Sequence, residues 1–244
     1  VVAYFLLGET NIGRGRVERL QKTEARLRLP TWPPVAVPDH AAALFDLGHS
    51  ISGLAAGGGN RIRLLGDPAA PLNEPMRNAK AAMDTLIADI GQARSTVHIA
   101  FYIWLDDDTG QRMAQAVEAA ARRGVVCRVM VDALGSRAFL KSPLWSALAQ
   151  AGVKQLATLD DLNRWQHFAF SRMDLRDHRK LVVIDNRIAY CGSQNCADPE
   201  FRIKAKYAPW IDVLFRCEGP VALQMQALFL GGWIPETGEQ GLDG

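Results

Sequence analysis

Apolar residues recur along this chain with two different periods, and the change from one to the other marks out its elements. Met76, Ala79, Met83, Leu86, Ile87 and Ile90 fall at helical spacing, which predicts a core-facing helix over 76–92 with Gly91 near its end. Thr96 to Trp104 alternates as a strand. Gly110 to Arg123 reads as an Ala-rich helix with Met113, Ala116, Val117 and Ala120 on one side, and Val125 to Val131 as a strand running into Asp132. A helix from about Pro143 to Gln150, stopped by Gly152, and a strand over Val153–Ala157 repeat the unit. Four strands remain: Arg61–Leu65, the short β-branched run Leu181–Ile184, its return Ile188–Cys191, and Trp210–Cys217. A last helix follows Pro220 through Phe229. Strands separated by helices and finished by a hairpin predict an α/β fold, a mixed β-sheet sandwiched between helices.

Two breaks precede this pattern. Pro30, Pro33, Pro34 and Pro38 mark an extended linker, so the folded domain is expected to occupy 39–244 and an arm 1–38. Gly57-Gly58-Gly59-Asn60 reads as a flexible turn, since a phosphate-cradling loop needs a Gly-Lys-Ser/Thr that is absent. The net charge of +2 conceals a basic arm, with six Arg or Lys against three Glu in the first 30 residues. The arm opens on Val1-Val2-Ala3-Tyr4-Phe5-Leu6-Leu7, too short to span a bilayer. That run reads either as the cytoplasmic exit of a membrane helix or as a buried strand. Cys127, Cys191, Cys196 and Cys217 show no Cys-x-x-Cys or zinc spacing and read as reduced core thiols.

The candidate chemistry lies around the run at 181–184. His178 and Lys180 precede it, Asp185 follows it, and Gly192-Ser193-Gln194-Asn195 closes the return strand, giving His-x-Lys-x4-Asp-x6-Gly-Ser-x-Asn once in the chain. On a strand His178 and Lys180 share a face, roughly 7 Å apart, a spacing that can straddle one phosphate. A neutral imidazole can attack phosphorus, an ammonium can hold a non-bridging oxygen, and Ser193 and Asn195 can donate to the others. Asp185 has the opposite parity and sits beside Asn186, so a turn or salt-bridge role is as open as catalysis. Asp212, a lone carboxylate in an apolar strand, is the candidate for orienting the histidine, with a solvated strand edge as the alternative. His98 reads as a hydrogen-bonded core histidine. Asp106-Asp107-Asp108 reads as a helix start rather than a metal site. Arg164, Trp165, His167, Phe168, Phe170 and Arg172 form a loop that can border a lipid or polyanion groove.

The signature resembles that of the phospholipase D superfamily, and the chain is similar to bacterial cardiolipin synthases over nearly its whole length. The likeness is carried by Phe5–Glu9, Tyr102-Ile103-Trp104 with Asp107 and Gly110, Arg123-Gly124-Val125, Asp132 with Gly135-Ser136, Ala151-Gly152-Val153, Arg176–Lys180, Pro209–Val213, Gly219-Pro220-Val221 and Trp233 with Glu236–Glu239. It departs at Asp177, where Asn is usual, at Gly231-Gly232, where acidic residues are common, and in lacking a second signature.

The resemblance implies a phosphatidyltransferase that moves a phosphatidyl group from phosphatidylglycerol to a second lipid alcohol through a phosphohistidine. His178, Lys180 and Asp185 are the catalytic candidates, Ser193 and Asn195 the phosphate-binding ones, and Asp212 the histidine-orienting one. It implies no cofactor and no metal, an anionic phospholipid and a membrane surface as partners, and no nucleic acid. The expected location is the cytoplasmic side of a bacterial inner membrane, with a missing second half or a second copy completing the site. The alternative is a homodimeric single-signature phosphodiesterase or nuclease of the same superfamily.

Overall fold

The computed structural model describes residues 14–27, 35–66, 74–160, 176–201 and 211–239. Among them the alternating segments form one mixed sheet of β1 (Arg61–Leu64), β2 (Thr96–Phe101), β3 (Val126–Asp132), β4 (Lys154–Thr158), β5 (Lys180–Ile184), β6 (Ile188–Gly192) and β7 (Leu214–Glu218), in the order β1-β7-β6-β5-β2-β3-β4. β2, β3 and β4 are parallel, and all other pairings are antiparallel. The helices are α1 (Arg14–Arg26), α2 (Asp39–Ser52), α3 (Pro75–Gly91), α4 (Asp108–Arg122), α5 (Pro143–Gln150) and α6 (Pro220–Thr237). The α/β sandwich expected from the sequence is what forms.

Strand alternation divides the core in two. Val97, Ile99, Phe101, Val129, Val131, Val182 and Ile184 face Met83, Leu86 and Ile90 of α3 and Met113, Val117 and Ala120 of α4. Ala100, Met130, Leu181, Val183 and Ala189 face Ala222, Phe229, Leu230 and Trp233 of α6. β5 is therefore buried on both faces, which is why its four apolar residues run without interruption.

Several elements differ from the sequence reading. α6 runs past Phe229 to Thr237, through Gly231, Gly232 and Pro235. Each glycine costs about 1 kcal/mol of helix propensity, and burial of Leu230 and Trp233 outweighs it. β7 begins at Leu214 rather than Trp210; residues 202–210 lie outside the described residues, and 211–213 are not strand. α1 lies in what the sequence reading left as an arm, and α2 opens the expected folded domain, where no element was assigned. α1 packs on α6, with Thr23 buried and Arg19 Nε donating to Pro235 O at 2.8 Å. The start of α4 follows expectation, since Asp107 caps it by accepting from Gly110 N at 2.9 Å. Val1–Leu7 and the 163–172 loop lie outside the described residues.

On the α6 face the sheet carries a buried polar network. Arg128 grips Glu239 in a fork, at 2.7 and 3.2 Å, and Glu239 also accepts from Trp233 Nε1 at 2.8 Å and from Lys154. Arg128 donates to His98 Nε2 at 2.9 Å, so the proton sits on Nδ1 and goes to Gln226 Oε1 at 2.9 Å. His98 stacks on Phe229 and is the core histidine that the sequence suggested. Burial first, and then Arg128, push its pKa from 6.5 to about 4, against the Gln226 bond. The Arg128 bond holds Glu239 at about 2, below its usual 4.5.

Both groups bind fewer protons in the folded chain than in the unfolded one, so stability is full above pH 6.5. It declines toward pH 4 as unfolded-state His98 protonates, and again between 4.5 and 2 through Glu239. Urea unfolding across this range is expected to show both steps, and His98→Gln to lose the upper one.

Candidate active site

The reversal of β5 against β2 decides where the signature sits. Phe101 pairs with Lys180, and Leu181 with Cys191, so the entry to β5 lies between the ends of β2 and β6. Tyr102, the first residue beyond β2, is the platform there. Its ring centroid is 4.2 Å from that of His178, and Lys180 Nζ stands 5.3 Å above the same ring. Both signature residues thus meet on one aromatic surface. Gly135 makes room for it, because a Cβ at that position would lie 2.3 Å from Tyr102 O and 2.9 Å from the ring. Lys180 donates to His178 O at 2.8 Å. Burial lowers the Lys180 pKa, while the charges of Asp212 and Asp177 favour its ammonium form.

The backbone around His178 is tied down on each side. Asp177 N donates to Asp132 Oδ2 at 3.0 Å, and Asp132 Oδ1 accepts from Leu134 N and Gly135 N, coupling the His178 segment to the Tyr102 platform. Arg179 turns to α6. It forks onto Asp177 at 2.7 and 2.6 Å and donates to Leu228 O at 2.9 Å. A Cβ on Gly232 would come within 2.4 Å of this guanidinium. The two departures from the resembling pattern, Asp177 and Gly232, therefore meet on Arg179: one supplies its carboxylate and the other its space.

Ser193 and Asn195 are placed by a second set of bonds. Ser193 N donates to Val213 O at 2.9 Å, and Val213 N donates to Ser193 Oγ at 3.1 Å, so a hydroxyl takes over from the ladder just before β7. Gly192 permits this approach, since its Cβ would be 2.0 Å from Val213 O. Asn195 Oδ1 accepts from Ile103 N at 3.2 Å, which leaves its amide nitrogen as a donor. Backbone bonds from Leu105 N to Cys196 O and from Cys196 N to Ile103 O stitch this segment to the one carrying Tyr102.

Two candidates are placed differently from expectation. Asp185 is at the other end of β5, on the order of 20 Å from His178 at about 3.3 Å per residue. Its carboxylate accepts from Arg94 N at 2.9 Å, Ser95 N at 2.7 Å, Ser95 Oγ at 2.9 Å and Thr96 N at 2.9 Å. Burial raises its pKa, but these bonds prevail and hold the carboxyl below its usual range. Asp185 and Asn186 both have positive φ, at 51° and 54°, forming the two-residue turn into β6. This is the geometry of the turn that the sequence offered as one of its two readings of Asp185. Asp212 accepts from Ser193 Oγ at 2.6 Å, and among the described residues no hydrogen bond joins it to His178. Tyr102 and Asp132 are the site residues that sequence reasoning left without a role. Their signal was position, each standing at the end of a parallel strand, where α/β sheets gather their ligands.

Beside Asp212 the surface is apolar. Ile211 is 72% exposed and Val213 43%, and the edge strand β1 adds Ile62 and Leu64 at 61% and 50%.

A two-faced mixed sheet with a His-x-Lys pair at the mouth of its central strand defines a phospholipase D-like domain. The chain belongs to the family described as "Cardiolipin synthase, PLD-like domain", whose model matches residues 86–212. It is similar to cardiolipin synthase A of Edwardsiella ictaluri, with 37% identity over 98% of this chain and 49% of that protein, and to that of Escherichia fergusonii, with 35% identity over the same shares. The chain thus spans about half the length of these curated relatives. Among solved structures, NucT from Helicobacter pylori is 19% identical, with a TM-score of 0.46 over 71% of this chain and 94% of that one. Nuc from Salmonella typhimurium, described as a phospholipase D family member, is 18% identical with a TM-score of 0.47 over the same shares.

Asp185→Ala removes the charged acceptor of the exposed Arg94 and Ser95 and the half-buried Thr96, and is expected to cost about 1–3 kcal/mol of stability. Chemical denaturation measures that loss. In a completed enzyme, activity per folded molecule should stay within threefold of the parent, whereas a hundredfold fall would return Asp185 to the site.

Proposed function

We propose that the chain is one half of a phosphatidyltransferase that works through a phosphohistidine. The observation that carries this reading is the convergence of His178 and Lys180 on the Tyr102 ring at the end of the sheet where Ser193 and Asn195 are also held. An imidazole nitrogen of His178 attacks the phosphorus of phosphatidylglycerol. A P–N bond forms, the P–O bond to the headgroup glycerol breaks, and the departing oxygen takes a proton from an acid on the opposite side. A second lipid alcohol then attacks, the new P–O bond forms as P–N breaks, and the same opposite group accepts the alcohol's proton. Lys180 and the Asn195 amide nitrogen stabilise the charge on the non-bridging oxygens. The Ser193 hydroxyl, held by Asp212, joins them by rotating toward the phosphate.

The opposite acid is the part this chain does not supply, because its signature occurs once. A second half, or a second copy, bearing its own signature is proposed to cover the apolar surface of Ile211, Val213, Ile62 and Leu64 and to bring that acid. The membrane partner and a cytoplasmic-side location belong to the same proposal; no described helix is long and apolar enough to cross a membrane.

In a completed enzyme, His178→Ala should abolish trapping of labelled phosphatidyl on protein, and persistent labelling would sink the nucleophile assignment. Lys180→Ala should slow turnover by about a hundredfold or more, or roughly 3 kcal/mol of transition-state stabilisation. The 244-residue chain alone should be nearly inactive and should regain transfer when mixed with a half carrying its own signature. A stable homodimer that cleaves phosphodiesters with full turnover would instead favour the single-signature phosphodiesterase.

A further inference from the structure

α2 is the helix that the fold leaves unused. None of its 14 residues is buried, and its large side chains point outward: Leu44 is 71% exposed, Phe45 47%, Leu47 56% and Ile51 78%. Leu44, Leu47 and Ile51 stand at i, i+3 and i+7 and so form one stripe, while Phe45, Asp39 and Asp46 lie away from it round the helix. The helix ends cleanly on Gly53, whose φ of 69° and bond to His49 O at 2.8 Å form a left-handed cap. A helix of about this length is marginal in water without a surface to lie on. Among the described residues, no element of the fold buries any side chain of this one.

The apolar surface does not stop at Ile51. Beyond the cap, Leu54 joins Leu20 of α1, Leu27 just after that helix and Leu228 of α6 in lining an open groove of about 470 Å³. The other wall of that groove is α1, whose sequence carries five Arg or Lys against two Glu and whose Arg19 and Lys22 are exposed. A protein core seated on this surface would have to bury or skirt those cations. An anionic bilayer takes both parts at once: apolar side chains at the headgroup boundary and cations on the lipid phosphates.

We propose that α2 is an interfacial helix whose Leu44–Leu47–Ile51 stripe inserts into the surface of an anionic phospholipid bilayer, with the basic helix α1 beside it on the headgroups. The inference rests on the phosphatidyltransferase reading only in taking phosphatidylglycerol as the anionic lipid. It goes beyond that reading in naming the element that holds the domain to its substrate's surface.

The test uses the 244-residue chain and vesicles of phosphatidylcholine with or without phosphatidylglycerol at about a third of the lipid, since each Lys or Arg near an anionic surface adds about 1 kcal/mol of attraction. The parent should co-sediment with the anionic vesicles, and the triple variant L44S/L47S/I51S should partition at least tenfold more weakly. The unfolding midpoint of the triple variant should match that of the parent, since no changed residue is buried. His178→Ala should bind as the parent does, so failure of the catalytic reading would leave this result standing. Equal binding by parent and triple variant, or no binding by the parent, overturns the proposal. So does a dimeric parent that becomes monomeric in the triple variant without a change in vesicle binding, which would make the stripe a protein interface.

Discussion

A polar pair can open a core strand only if that strand is held from both faces, and β5 is so held. Leu181 and Val183 pack toward α6 while Val182 and Ile184 pack toward α3 and α4, so the four apolar residues of β5 are shared between the two cores. Because β5 runs against β2, its polar entry emerges where β2 and β3 end. Tyr102, Asp132, Gly135 and the 192–195 segment are thereby brought to one place without any of them being near His178 in sequence.

The fold was largely legible because its central strands are patterned by burial. β2, β3 and β5 and the helices α3, α4 and α5 fall where period and glycine stops place them, within a few residues. What escaped depends on contacts distant in sequence. The continuation of α6 through Gly231, Gly232 and Pro235 is invisible until Arg179 and the buried Trp233 are seen beside it. α1 and α2 were masked by their charge and by the prolines between them, although the spacing of Leu44, Leu47 and Ile51 was available as a signal.

The site was legible at a different level. Residue types and spacing named His178, Lys180, Ser193 and Asn195, and the structure gathers them at one end of the sheet. Spacing could not say which neighbours they would choose. Asp212 is bonded to Ser193 rather than to the imidazole, and Asp185 has been drawn away by three backbone N–H groups and a hydroxyl. Strand parity had already separated Asp185 from the other two, and the geometry follows that parity.

The position of Asp185 matters to the chemistry in another way. A strand's side chains swap faces with every one-residue shift in pairing, so a slip of β5 by one place would carry Arg179 onto the Tyr102 platform and turn His178 and Lys180 toward α6. The carboxylate fastens the far end of β5 to residues 94–96, at the very start of β2. It acts as an index pin: from the opposite end of the strand it fixes which of three successive basic residues is presented to a phosphate.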